Sequence, residues 1–123
     1  MIANATLDWH HSLAWALIIA NAVAGGWALA AQPWPRLRGR PLWAVIVLAQ
    51  LTAFAQAITG TILIARDDLE PAPLHALYGF SAVIAVGILY SYRTSPFMKG
   101  KELLLYGFGC LFIMGLGIRN LYL

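Results

Sequence analysis

The chain has 123 residues, 61% of them hydrophobic and 11% charged, with a net charge of +3. Soluble domains are about 25% charged, and a chain this short has too little interior to hide so much apolar surface. A water-soluble enzyme domain is therefore excluded, and lipid or partner subunits must act as solvent for the excess. Nucleic acid is not an expected partner, because the basic residues sit in short loops between apolar runs, where membrane topology accounts for them.

Four apolar runs follow one another, over 12–31, 42–65, 74–92 and 103–118. Each approaches the roughly 20 residues needed to span a bilayer as a helix. The first is preceded by His10 and His11 and carries Asn21 near its middle. Ala28-Leu29-Ala30 resembles a signal-peptidase site, but no Lys or Arg precedes the run and Asp8 does, so a retained spanning helix is expected. A loop rich in Pro and Arg (Pro33, Pro35, Arg36, Arg38, Gly39, Arg40, Pro41) ends it, since proline lacks the N–H a helix needs.

The second run places Thr52, Gln56, Thr59 and Gly60 on one face, with Gln50 nearby. Uncharged polar residues in a span usually bond to neighbouring helices. The functional alternative is a polar rim of Gln56, Thr59 and Asn21 for a quinone headgroup or a cofactor edge. An acidic loop with Asp67, Asp68, Leu69 and Glu70 leads to Pro71 and Pro73, and His75 opens the third run. The third loop holds Arg93, Pro96, Lys99, Gly100 and Lys101. The fourth run carries Gly107, Cys110, Met114 and Gly117 along one stripe, expected to pack tightly within the bundle or against another subunit. Cys110, the single cysteine, is expected to be a small apolar packing residue.

These elements predict an all-α, integral membrane four-helix bundle of up-down topology forming a single domain. Six basic residues fall in the first and third loops, which the positive-inside rule assigns to the cytoplasm. Both termini are then extracytoplasmic, in a multi-pass protein of a bacterial cytoplasmic (inner) membrane.

That topology brings the three histidines to one depth. His75 and one of His10 and His11, on diagonal helices, are positioned to ligate the iron of a b-type haem from both sides. The spacing leaves open which of the adjacent pair points inward; the pairing of His11 with His75 is the one carried forward. Gly79, one turn past His75, leaves room for a flat macrocycle. Arg119, at the outer end of the fourth run, is at the right depth for a haem propionate, with Arg66 the other candidate. No Asp, Glu, Lys or Arg lies near the middle of a span, which argues against a pump or channel. No catalytic constellation is present either.

His11 and His75 are 64 residues apart, Gln56-Ala57-Ile58-Thr59-Gly60 forms a Gln-x-x-x-Gly stretch, and Pro73-Leu74 leads into His75. On these residues, over roughly 10–92, the chain resembles one half of a haem A synthase, a family built from two related four-helix units that each present two histidines. The family's Glu-x-x-His-Arg signature and second unit are missing, so the resemblance implies haem binding and not synthase activity. Leu74-His75-Ala76-Leu77-Tyr78-Gly79, with an ending like Gly115-Leu116-Gly117-Ile118-Arg119, also resembles small bacterial four-span membrane proteins that share a Leu-His-x-Leu-Tyr-Gly motif. The expected function is a non-catalytic accessory subunit of a respiratory or photosynthetic electron-transfer complex, able to hold haem b. The alternatives are a stand-alone bis-histidine haem protein exchanging electrons with quinone, and a membrane assembly factor.

Overall fold

The computed structural model describes residues 2–68 and 70–122, with side chains placed for 5–66, 68 and 70–122. Leu69 and the side chain of Asp67, both assigned above to the acidic loop, lie outside the described residues. The described chain is helical: α1 (Ile2–Ala31), α2 (Arg40–Asp67), α3 (Pro73–Tyr92) and α4 (Glu102–Leu121), with short 3₁₀ turns at Pro35–Leu37 and Pro96–Met98. All four helices are long and apolar enough to cross a membrane.

Four boundaries follow from local chemistry. Pro41 and Pro73 sit in the first turns of α2 and α3, where a missing N–H costs nothing and a fixed φ favours the helix. At the end of α1, Arg38 donates from Nε to the Ala31 carbonyl (2.8 Å) and from Nη2 to that of Gln32 (2.6 Å). A cation thus satisfies carbonyls the helix leaves open, at the negative end of its dipole. α2 ends at Asp68, whose left-handed φ of 53° lets its N–H reach the Leu63 carbonyl.

The start of α1 differs from the expected span. It begins at Ile2 and not near Ser12, because no proline or glycine before Gly25 interrupts it. At 1.5 Å per residue its 30 residues reach about 45 Å, beyond the roughly 30 Å of a hydrocarbon core. The extra turns lie ahead of His10 and keep it near one end of the apolar slab.

Small residues line the core beside larger ones such as Leu17, Ile18, Leu42, Ile46 and Ile113, and many of the bulkiest side chains face outward. Ala24, Ala28, Ala49, Ala53, Ala82 and Cys110 are in the core, while Trp15, Leu48, Phe54, Ile84, Phe108 and Phe112 face outward. In water such a surface would aggregate. Between lipid tails it is the expected arrangement, since close backbone approach, and not hydrophobic exclusion, drives helix association there.

α1 packs most extensively on α4 and α2, and α2 and α3 make the loosest contact among chain neighbours. Leu29 meets Gly107 and Leu17 meets Gly117, so α1 and α4 run in opposite directions. The glycine stripe of α4 is therefore used inside the bundle. Gly107 and Gly117 face α1, where Gly25 supplies the matching gap, and Gly109 faces Leu89 of α3. Cys110 is buried among these contacts, in the packing role expected of it.

Candidate functional site

The N-terminal parts of α1 and α3 and the C-terminal parts of α2 and α4 converge on a cavity of about 430 Å³. Cofactor and small-ligand pockets fall at roughly 300–1,000 Å³. Its walls include His10, His11, Gln56, His75, Tyr78 and Asn120, interleaved with apolar side chains. The imidazoles of His10 and His75 face one another across it, with ring centres 6.1 Å apart and planes inclined by 59°.

His10 is held through one ring nitrogen. Its Nδ1 is 2.7 Å from Thr59 Oγ1. That hydroxyl also lies 3.0 Å from the Ala55 carbonyl, 3.1 Å from that of Gln56 and 3.5 Å from Gln56 Oε1. A threonine hydroxyl has one proton and two lone pairs. The hydroxyl either donates its proton to Nδ1, or donates to one of these oxygens and accepts the ring N–H. In the second arrangement His10 is the Nδ1–H tautomer and its Nε2 keeps the lone pair a ligand needs. An orienting partner of this kind on one ring nitrogen is the usual support for a histidine that ligates through the other.

Two small contacts set the rings in place. A Cβ added at Gly60 would come within 3.3 Å of His10 Cε1, so the glycine gives the ring its seat against α2. On the other side, Asn120 Nδ2 donates to the His75 carbonyl over 3.1 Å and ties α4 to the first turn of α3. Gly79 stands beside that amide, where a Cβ would lie 3.7 Å from Nδ2, an ordinary contact.

The sequence-derived candidates separate accordingly. His10, His75, Gln56 and Gly79 line the cavity, and Thr59 stands behind His10. His11 touches the cavity wall but is exposed, and the ring opposite His75 belongs to its neighbour. Arg119 and Arg66 are exposed at the helix ends and do not line the cavity; the charged residue at its rim is Glu70. Asn120 was not singled out from the sequence. The available signal was a polar side chain beside Arg119, at the depth of the histidines.

Asn21 lies one turn deeper than the cavity-lining Leu17 and Ala53. It is fully buried, and its Nδ2 donates to the carbonyls of Leu17 (2.9 Å) and Ala49 (3.3 Å), clamping α1 to α2. Among the described residues its Oδ1 has no partner, nor has Nε2 of Gln50, beside Ala49. Asn21→Leu fills the space and removes the unpaired acceptor, so its stability should stay within about 1 kcal/mol of the parent. Asn21→Ala opens a void and should cost about 1–3 kcal/mol. Thermal unfolding in detergent checks both, and equal losses would refute this account.

Among the described residues no three His, Cys, Asp or Glu side chains are grouped to hold a metal. The His10–His75 pair can supply only two ligands. Fold and cavity together define a multi-pass helical membrane protein with a paired-imidazole cavity at one end of its bundle. No family model, curated protein or solved structure matches this chain.

Proposed function

We propose that the cavity holds a b-type haem between His10 and His75, and that the chain is an accessory electron-carrying subunit of a larger complex in a bacterial cytoplasmic membrane. The observation that carries this reading is the imidazole pair. A first-row metal binds imidazole at about 2.0–2.1 Å, which, with about 1.1 Å from nitrogen to ring centre, puts two axial ring centres roughly 6.2–6.4 Å apart. The pair stands at 6.1 Å. The inclination of 59° is no obstacle, because each ring can turn about its own metal–nitrogen bond. His10, through Nε2, and His75 would hold the iron, and the macrocycle would bring the ligands that the protein does not.

Held by His10 and His75, a haem would supply one-electron transfer, and the chain would need partners to give and take the electrons. This favours an accessory role in electron transfer over an enzyme of its own. Gln56, on the cavity wall, favours quinone as one such partner. In this reading the bundle is up-down. The positive-inside rule turns the end bearing Arg36, Arg38, Arg40, Arg93, Lys99 and Lys101 to the cytoplasm, and both termini and the histidine pair face outward.

The test is an absorption spectrum of the chain purified after expression with ample haem, followed by identification of what co-purifies in mild detergent. A Soret band and a reduced-minus-oxidised α peak are expected, with other membrane subunits present. A colourless protein under these conditions would refute haem binding, and a free monomer would refute the accessory role.

A further inference from the structure

At the opposite end from the histidines, α3 and α4 part to leave an apolar groove of about 520 Å³, partly closed by the 3₁₀ turn at Pro96–Met98. Its walls include Ile88, Leu89, Leu105, Phe108 and Phe112, and the cation on its lining is Lys101. The Lys101 ammonium stands 4.5 Å from the centre of the Phe97 ring, at the mouth of the groove. The whole end is basic. Gln32 Nε2 donates to the Gly100 carbonyl (3.3 Å), joining the first and third loops. Together they present Arg36, Arg38, Arg40, Arg93, Lys99 and Lys101 against the single carboxylate of Glu102.

Not all of these cations are free. Arg38 is engaged by the carbonyls at the end of α1, and the Arg93 guanidinium lies over the Tyr90 ring at 4.4 Å. Glu102 accepts the Gly100 N–H (3.3 Å) and so is turned toward the loop backbone. Lys101 is the cation on the groove lining, held at its mouth by the Phe97 ring, and Lys99 lies two residues before it.

We infer that this groove is a binding site for one anionic phospholipid, its phosphate at Lys101 and Lys99 and an acyl chain lying along α4. Length and charge both select this occupant. From Lys101 to Phe112 the helix rises about 16 Å, close to half the roughly 30 Å hydrocarbon core. The groove therefore runs from headgroup level to the bilayer centre, the path of one acyl chain in one leaflet. An apolar peptide would fill the trough but leave Lys101 at its mouth, and Lys99 two residues before it, without a counter-charge. A zwitterionic lipid would meet them with a phosphate already neutralised by its own cation. The site is independent of the histidine cavity, and its test does not depend on haem.

Native mass spectrometry of the full chain in mild detergent, with equal amounts of phosphatidylglycerol and phosphatidylcholine, decides the matter. Retention of one phosphatidylglycerol in clear preference to phosphatidylcholine is expected. Lys101→Gln and Lys99→Gln should each reduce that preference roughly fivefold, the effect of one basic side chain at an anionic lipid surface. Neither substitution touches the core. Ile88→Trp, placed on an exposed wall of the groove, should lower retention of both lipids. Equal retention of the two lipids by the parent chain would overturn the proposal. So would a preference that survives both lysine substitutions, or a stoichiometric protein partner occupying the groove.

Discussion

His10→Ala and His75→Ala are each expected to abolish stoichiometric haem, while His11→Ala keeps it. The two adjacent histidines differ in their surroundings. His10 has its Nδ1 bonded to Thr59 and its ring opposite His75, whereas His11 is exposed at the cavity edge. Thr59→Val deletes the hydrogen-bond partner of His10 Nδ1 without a change in volume. Loss of such an orienting partner weakens a metal site about 10–100-fold. Partial haem with a broadened or shifted Soret band is therefore the expected phenotype. Loss of a ligand itself must cost more than loss of its support. The order is then His10→Ala and His75→Ala worst, Thr59→Val intermediate, and His11→Ala close to the parent. Haem content per chain from pyridine haemochrome spectra reads this order directly. A colourless His11→Ala beside a coloured His10→Ala would reverse the assignment of the inward ring.

Why the sequence left that assignment open is instructive. Neighbouring residues on a helix point about 100° apart, and both histidines stand above residues a helix can bury: Ala14, Leu17 and Asn21 below His10, Trp15, Ile18 and Ala22 below His11. The discriminating residue is Trp15, which is 57% exposed. In water a tryptophan is a fair marker of the inside. In this bundle large apolar residues lie on both faces, Leu17 and Ile18 inside and Trp15 and Ile19 outside, so size does not mark the inward face. The fully buried polar Asn21, in line with His10, does.

The helices themselves were legible, because proline clusters and charged loops bracket each apolar run. The start of α1 was not, since nothing in residues 2–11 breaks a helix and hydropathy alone does not mark where one leaves the apolar slab. Asn120 was hidden for a different reason. Its role depends on the register between α3 and α4, which appears in no local pattern. Gly25 escaped notice likewise, because its partner Gly107 is on the last helix.

Gly25→Val and Gly107→Val are expected to destabilise the bundle by about 1–3 kcal/mol, and the reason separates these glycines from others in the same helices. A Cβ at Gly25 would come 2.9 Å from the Gly107 carbonyl oxygen, a backbone atom that cannot turn aside. At Gly107 it would meet Leu29 at 2.5 Å. Either change pushes α1 from α4 along the most extensive seam of the bundle, where packing is the main source of cohesion. Gly26, Gly87 and Gly115 have nothing within 4 Å of an added Cβ. Alanine at these three should be neutral or stabilising by up to about 1 kcal/mol, the usual gain over glycine within a helix. Thermal unfolding in one detergent separates the two groups, and equal behaviour of Gly26→Ala and Gly107→Ala would disprove the seam. Gly117→Ala adds a link to the site. Its Cβ would meet Leu17 at 2.7 Å, and Leu17 lines the histidine cavity. The displaced end of α4 carries Asn120, whose amide holds the His75 carbonyl. The same small residue that closes α1 onto α4 thereby helps fix the distance between the two imidazoles.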